Sequence, residues 1–180
     1  VYSDTPKKIN EKSKTVPDSI HGMMHLTREI NLQINFKKKL CILRPTLIYG
    51  FGDTHQGYGP NRFINLAREN KDIFLFGKGE ERRDHIYIDD LIKVLLKCIK
   101  TNKFGIYNLA TGIVNSFNEI AKIVVTLTNS KSKIFNTKRV GLMPHNGYRP
   151  FNVTFINKKF QNIELNTIEN GIKKYLRKLN

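Results

Sequence analysis

Apolar side chains fall at Ile20, Met23, Met24, Ile30 and Ile34, close to the 3.6-residue period of an amphipathic helix. The spacing predicts a helix that Asp18 or Ser19 can cap and that runs to about Phe36. Leu40 to Tyr49 is different: a nearly continuous apolar run, interrupted only by Arg44 and Pro45. Apolar on both faces, it reads as a buried strand of a parallel sheet. Downstream, Asn61 to Glu69 reads as a short helix, Ile73 to Phe76 as a strand and His85 to Ile88 as a second, shorter one. Asp89 and Asp90 then cap a helix through Ile99 whose core face is Leu91, Val94, Leu95 and Cys98. Gly105 to Ala110 is another buried strand, closed by Thr111 and Gly112. Ser116 opens a helix to about Leu127, with Asn118 and Glu119 placed to help cap it. Ile134-Phe135 is a short strand, and Thr167 to Leu179 forms a last helix, basic toward its end as the macrodipole prefers. Residues 3–17 and the glycine-rich 50–59 stretch are loops. Strands and helices alternate, which argues an α/β fold with a parallel sheet.

The 180 residues suffice for a domain with a real core, and 39% hydrophobic with 26% charged residues describes a soluble globular chain. No apolar run approaches the roughly 20 residues a membrane span requires, so no membrane association is expected. The opening Val1-Tyr2-Ser3-Asp4 has no signal-peptide character and reads like the interior of a longer, N-terminally truncated protein. A net charge of +16 would suit nucleic acid. The lysines, however, are scattered along the chain, and the densest run, Lys37 to Lys39, reads as a turn between helix and strand. No basic–aromatic alternation accompanies them, so nucleic acid is not the expected partner. What survives is a preference for an anionic ligand such as a diphosphate. Cys41 and Cys98 sit in apolar surroundings and read as buried free thiols of a reducing, cytoplasmic compartment.

The candidate chemistry starts with His21 and His25, one turn apart on one face of the first predicted helix. Imidazole titrates near neutral pH, at about 6.5 in water, and can therefore move a proton there. Such a pair can also chelate zinc, but no third ligand is evident and the zincin glutamate is missing, so no metal is expected. His55, His85 and His145 are scattered; His85 reads as a packed side chain, and His145 lies near Arg149.

Several segments, taken in order, resemble the C-terminal portion of an NAD(P)-dependent epimerase/dehydratase, of the extended short-chain dehydrogenase/reductase family that modifies nucleotide sugars. Val1 to Asp4 resembles its Val-Tyr-Gly-Asp. Pro17 to Glu29 resembles Pro-x-Ser-x-Tyr-Gly-x-x-Lys-x-x-x-Glu, and Leu43 to Gly50 resembles Leu-Arg-Pro-x-x-x-Tyr-Gly. The most specific block is Phe76 to Asp90, similar to Gly-x-Gly-x-x-Arg-Asp-Phe-x-Tyr-Val-x-Asp. Tyr107 to Gly112 and Tyr148-Arg149-Pro150 resemble two later elements.

The resemblance implies a partial Rossmann-type, doubly wound parallel sheet with a smaller α/β substrate-binding domain. Residues 1–50 would be the remainder of the Rossmann domain with its active-site helix, and 51–84 a substrate-binding segment. Residues 85–112 would supply the returning Rossmann helix and last strand, and 113–180 the C-terminal substrate-binding domain. It implies NAD or NADP as cofactor, a nucleotide-diphosphate sugar as substrate, and a homodimer when full length. His21 stands where the family has its catalytic tyrosine and His25 where it has the lysine that holds the nicotinamide ribose. The chemistry implied is therefore a His-variant hydride transfer; the competing expectation is a catalytically inactive homologue with a structural or regulatory role. Pro45 and Thr46 would pass the nicotinamide carboxamide, and Arg83 and Arg149 would grip the diphosphate. Asn61 would touch substrate, while Leu47 replaces an asparagine that does so in relatives. The family's Gly-x-x-Gly-x-x-Gly turn has no counterpart here, since Gly50, Gly57 and Gly59 follow the wrong strand. Poor NAD binding by this stretch alone is therefore expected.

Overall fold

The computed structural model describes residues 1–36, 39–55, 57–161 and 163–179. The expected turn at Lys37 and Lys38 lies outside them. Among the described residues six α-helices, α1 (Ile20–Phe36), α2 (Pro60–Arg68), α3 (Ile88–Lys100), α4 (Phe117–Thr128), α5 (Thr154–Lys159) and α6 (Ile168–Arg177), alternate with eight strands. The strands are β1 (Cys41–Pro45), β2 (Leu47–Tyr49), β3 (Ile73–Phe76), β4 (Arg82–Tyr87), β5 (Gly105–Leu109), β6 (Val114–Ser116), β7 (Ile134–Thr137) and β8 (Tyr148–Arg149). The architecture is mixed α/β with parallel strand pairs, as the alternating pattern predicts.

The apolar run 40–49 is two strands rather than one. Thr46 separates them: its backbone N–H donates to the Leu109 carbonyl and its hydroxyl to the Asp84 carbonyl at 2.8 Å. Upstream, β1 pairs in parallel with β5, Cys41 opposite Gly105. Downstream, β2 pairs in parallel with β4, Leu47 opposite His85. The run is also less buried than its composition predicts. Leu47 and Ile48 are each 45% exposed, and Tyr49 is the buried member of β2.

At its start β4 lies between β6, antiparallel, and β8, parallel, with Arg83 opposite Asn115 on one edge and Arg149 on the other. A separate pair, β3 with β7, supports α2 and α4. One core joins Tyr49, Phe63, Leu75, Ile120 and Ile172 between α2, α4 and α6. A second joins Val94 and Cys98 of α3 to Tyr107 and Leu109 of β5, with Ile156 and Phe160 closing it from the C-terminal part of the chain.

Helix starts agree with local chemistry in three places, one of them the Thr167 hydroxyl, which accepts from Asn170 N–H at 3.3 Å at the start of α6. The Ser19 hydroxyl accepts from Gly22 N–H, and Ser116 with Glu119 forms a full capping box on α4. The expected caps of α3 are different. That helix begins at Ile88 with no side-chain cap. Asp90 accepts instead from the Asn166 backbone and side chain at 2.8 and 2.7 Å, tying down the segment before α6, and Asp89 pairs with Lys178.

The apolar stripe of α1 does not face a core. Ile20, Met23, Met24, Ile30 and Ile34 are all exposed, and the buried positions of α1 are Gly22 and Glu29. On α3, Leu95 also points outward while Val94 and Cys98 point in. Periodicity identified both helices correctly; in α1 the stripe it marks is the open side of the helix among the described residues.

Candidate functional site

A cavity of about 480 Å³ opens between the N-terminal segment, α1, the β1–β2 junction, β4 and β8. His21, His25, Pro45, Thr46, Arg83 and Arg149 all line it, although they are up to 128 residues apart in the chain (21 to 149). Each arrives by a different route. The four-residue spacing on α1 brings the two histidines together edge to face, with ring centroids 4.6 Å apart and their Nε2 atoms 3.2 Å apart. One of those nitrogens must donate and the other accept, so the contact holds one proton between two rings. Burial first, then the neighbouring His21, holds the His25 imidazole below its usual value.

Arg83 and Arg149 meet because β4 and β8 pair in register. Arg83 forms an ion pair with Glu81 at 2.6 Å and donates to the Pro144 carbonyl at 2.5 Å. Arg149 donates to Asp4 at 2.9 Å and to the Tyr2 carbonyl at 3.2 Å. The partner of Arg83 is thus Glu81, rather than the Asp84 or Glu80 that adjacency suggests. Asp84 is fully buried and accepts from Thr111 N–H, the Thr111 hydroxyl and Gly112 N–H at 3.0, 2.9 and 2.7 Å. Burial still pushes its carboxyl up to about 6.

Asn61 does not reach this cavity. Its carbonyl oxygen accepts from Gly50 N–H at 3.1 Å and its amide donates to Asp53 at 2.5 Å, pinning the turn that follows β2. His85 is a packed side chain, as expected, lying between the Tyr49 and Phe117 rings. His55 is exposed in the loop before α2. Cys98 is buried and Cys41 half-buried; both are free thiols, and burial and then Cys41 push the Cys98 thiol up to about 12. Among the described residues no group of His, Cys, Asp and Glu could hold a metal ion. No described helix is long and apolar enough to cross a membrane.

Four residues of the site were not singled out by sequence reasoning. Glu29 continues the four-residue spacing one turn beyond His25 and lines the cavity with them. It pairs with Arg44 through three contacts of 2.5 to 3.1 Å. Arg44 also donates to the Tyr2 hydroxyl at 2.7 Å, and that hydroxyl donates to Asn108 at 2.7 Å. Counting on from His21 and His25 would have found Glu29; nothing local in the sequence points to Arg44 as its partner, or to Tyr2 as a partner of Arg44. Asp4, which contacts both His145 and Arg149, is equally invisible at a separation of more than 140 residues.

Residues 1–110 match the model of the NAD dependent epimerase/dehydratase family. The human dTDP-D-glucose 4,6-dehydratase is 28% identical over 137 residues, 72% of this chain and 39% of that protein. The dTDP-4-dehydro-6-deoxy-D-allose reductase of Streptomyces bikiniensis is 28% identical over 105 residues, covering 55% of this chain and 31% of its own. The chain thus spans about two fifths or less of the curated relatives it matches. The fold is shared with the UDP-glucose 4-epimerase of Thermotoga maritima, whose structure contains UDP-glucose. The TM-score is 0.83 at 22% identity, over 99% of this chain and 60% of that one. It is shared also with the dTDP-glucose 4,6-dehydratase of Bacillus anthracis in complex with NAD. There the TM-score is 0.81 at 15% identity, over 98% of this chain and 57% of that one.

Proposed function

The chain belongs to the NAD dependent epimerase/dehydratase family, and from that premise we propose that its cavity binds a nucleoside-diphosphate sugar for hydride-transfer chemistry. The observation that carries the reading is the convergence of His21, His25, Thr46, Arg83 and Arg149 on one cavity. Two guanidinium groups beside each other on paired strands suit a diphosphate, whose oxygens they can meet in bidentate fashion.

The residues at the β1–β2 junction fit the nicotinamide end of NAD or NADP. The Thr46 backbone and hydroxyl are tied to β5 and β4, so this wall is fixed, and His25 stands on the same cavity. In this reading Pro45, Thr46 and His25 hold that end of the cofactor, which supplies the hydride acceptor when bound. His21 then accepts the hydroxyl proton of the sugar at Nε2, while His25 orients it and shares the proton. Arg83 and Arg149 hold the diphosphate and so fix which hydroxyl meets His21. Asn61 acts one step back, by shaping the turn at Gly50 to Asp53. The sugar carbonyl so formed leads to epimerisation, dehydration or reduction. In this reading the protein works in the cytoplasm and, when full length, as a homodimer; the open apolar stripe of α1 supports the latter.

A second reading rests on the same pair of rings. The His21 Nε2 is engaged by His25 at 3.2 Å, which favours a protein that binds nucleotide sugar without turning it over. Incubation of the full-length protein with UDP-glucose or dTDP-glucose and NAD separates the two. A keto-sugar, or a signal at the nicotinamide absorbance that His21→Ala reduces at least about a hundredfold, supports catalysis. Sugar-nucleotide binding with no keto product supports the second reading, and unchanged turnover in His21→Ala removes His21 as the base.

A further inference from the structure

His145 carries an observation that neither the family motifs nor the hydride chemistry uses. It lines the cavity together with Arg83 and Arg149. The chain delivers it there through an uncommon backbone: His145 and Asn146 both sit at positive φ, 52° and 49°, before Gly147. Its Nδ1 meets the Asp4 carboxylate, and Arg149 donates to the same Asp4 oxygen at 2.9 Å. Asp4 itself does not line the cavity.

Nδ1 lies against the Asp4 carboxylate, which can only accept, and against Arg149 Nη1, which can only donate, at 2.8 Å. A neutral ring satisfies one of them, whereas the imidazolium keeps Nδ1–H on Asp4 and presents Nε2–H to the cavity. No partner meets Nε2 among the described residues, although the other ring nitrogen is engaged by two side chains. The arrangement is a positioned imidazole with one working nitrogen, beside two guanidinium groups on the wall of a cavity.

The groups that face this ring are Asp4, Tyr2 and the Val1 amino group on the N-terminal segment, Arg83 on β4 and Arg149 on β8. His21, His25 and Glu29 on α1 and Arg44 on β1 complete the charged lining. Burial acts first to hold His145 below the usual imidazole value, and Arg149 and Arg83 act in the same direction against Asp4. The ring is therefore neutral near pH 7 before any ligand arrives. A diphosphate entering beside Arg149 reverses that balance, because its negative charge favours the imidazolium.

We propose that His145 is a third anion ligand of the cavity: on arrival of a nucleoside diphosphate its imidazole takes one proton from solvent, Nε2–H donates a hydrogen bond to a phosphate oxygen, and Asp4 positions the ring through Nδ1–H. One N–H bond forms, the proton comes from water or buffer, and the imidazolium then lies between two anions. The proposal rests on the nucleotide-sugar reading and adds to it a proton-linked step in binding.

The test uses UDP-glucose, whose phosphates are both diesters and keep a fixed charge, so any proton taken up enters the protein. Calorimetric titration near neutral pH, in buffers of different ionisation enthalpy, counts those protons. The wild type is expected to take up close to one proton, and its affinity to fall on the order of tenfold as pH rises from about 6 to about 8. His145→Gln is expected to bind with that uptake lost, and Asp4→Asn to bind more weakly with a smaller uptake. Binding by the wild type without proton uptake overturns the proposal and leaves the nucleotide-sugar reading standing. Uptake that persists in His145→Gln also overturns it, as does tighter binding by Asp4→Asn, which would make Asp4 a competitor for the site. Absence of UDP-glucose binding by the wild type overturns both. Should either variant lose its circular-dichroism signature, the imidazole ¹⁵N resonances of the wild type decide. Movement of both His145 ring nitrogens to the protonated range on adding UDP-glucose supports the proposal, and an unchanged spectrum overturns it.

Discussion

Asp84 and His85 are neighbours on β4, both buried, and burial displaces them in opposite directions. The Asp84 carboxyl rises from 3.8 to about 6 and the His85 imidazole falls from 6.5 to about 4. For Asp84 the native state holds the proton longer. Its contribution to stability is present below about 3.8 and is lost as pH rises through about 6. For His85 the native state refuses the proton, so its contribution is present above about 6.5 and is lost as pH falls through about 4. Each is worth on the order of 3 kcal/mol, and over the shared window they nearly cancel. His85→Phe should expose the Asp84 slope. Its ring fits between Tyr49 and Phe117, and the unpartnered Nδ1 of His85 is removed. Urea unfolding of this variant at a series of pH values should show stability falling by about 3 kcal/mol between about pH 4 and about 6.5 relative to wild type. Parallel profiles for the two proteins would contradict this. These residues also show how far sequence reading reaches at this scale. The packing of His85 was foreseeable from the family motif. The donors that surround Asp84 come from Thr111 and Gly112, more than 25 residues away, and only the β4 packing against the end of β5 brings them there.

Among the elements, α1 is the one whose attachment differs most from its pattern. Its apolar stripe is open; Gly22 packs close against Pro17 of the segment that precedes the helix, and the Glu29–Arg44 pair joins the helix to the sheet. Both side chains of that pair are about nine-tenths removed from solvent, at 11% and 9% exposure. Breaking one member of such a pair leaves the other charge buried, which typically costs about 3–5 kcal/mol. Glu29→Ala should therefore lower the unfolding free energy by about that amount, and amide exchange should locate the loss first in α1. A change below about 1 kcal/mol would mean that the pair does not anchor the helix. A helical period states that one side of an element differs from the other. It carries no information about which partner, if any, covers that side, and here a polar pair rather than the stripe makes the contact.

For the molecule as a whole, the consequence is an exposed apolar surface. Ile20 and Ile34 on α1 are 83% and 67% exposed, and Ile92, Leu95, Leu96 and Ile99 on α3 add a second strip. Contiguous apolar areas of this kind are uncommon on isolated soluble proteins. The chain should bind a hydrophobic dye such as ANS in its native state. Replacing Met23, Ile30 and Ile34 together by Gln should reduce that binding at least about twofold while leaving far-UV dichroism intact. Equal dye binding by both proteins would place the apolar surface elsewhere.

What the amino-acid order determined by itself is local. It set the helices by their period, the strands by their β-branched runs, the Ser116 cap by a box of four residues, and membership in the family by motifs in series. It also nominated six of the residues that share the cavity. The tertiary structure decided everything that depends on distant partners. The split of the 40–49 run at Thr46 comes from hydrogen bonds to Asp84 and Leu109. The meeting of Arg83 with Arg149 comes from the pairing of β4 with β8, and the Asp4–His145 contact from the return of the chain beside its own start. The physical reason is the range of the forces involved. Helical and extended preferences act within about four residues, whereas these contacts form only when packing has already brought together segments far apart in the chain.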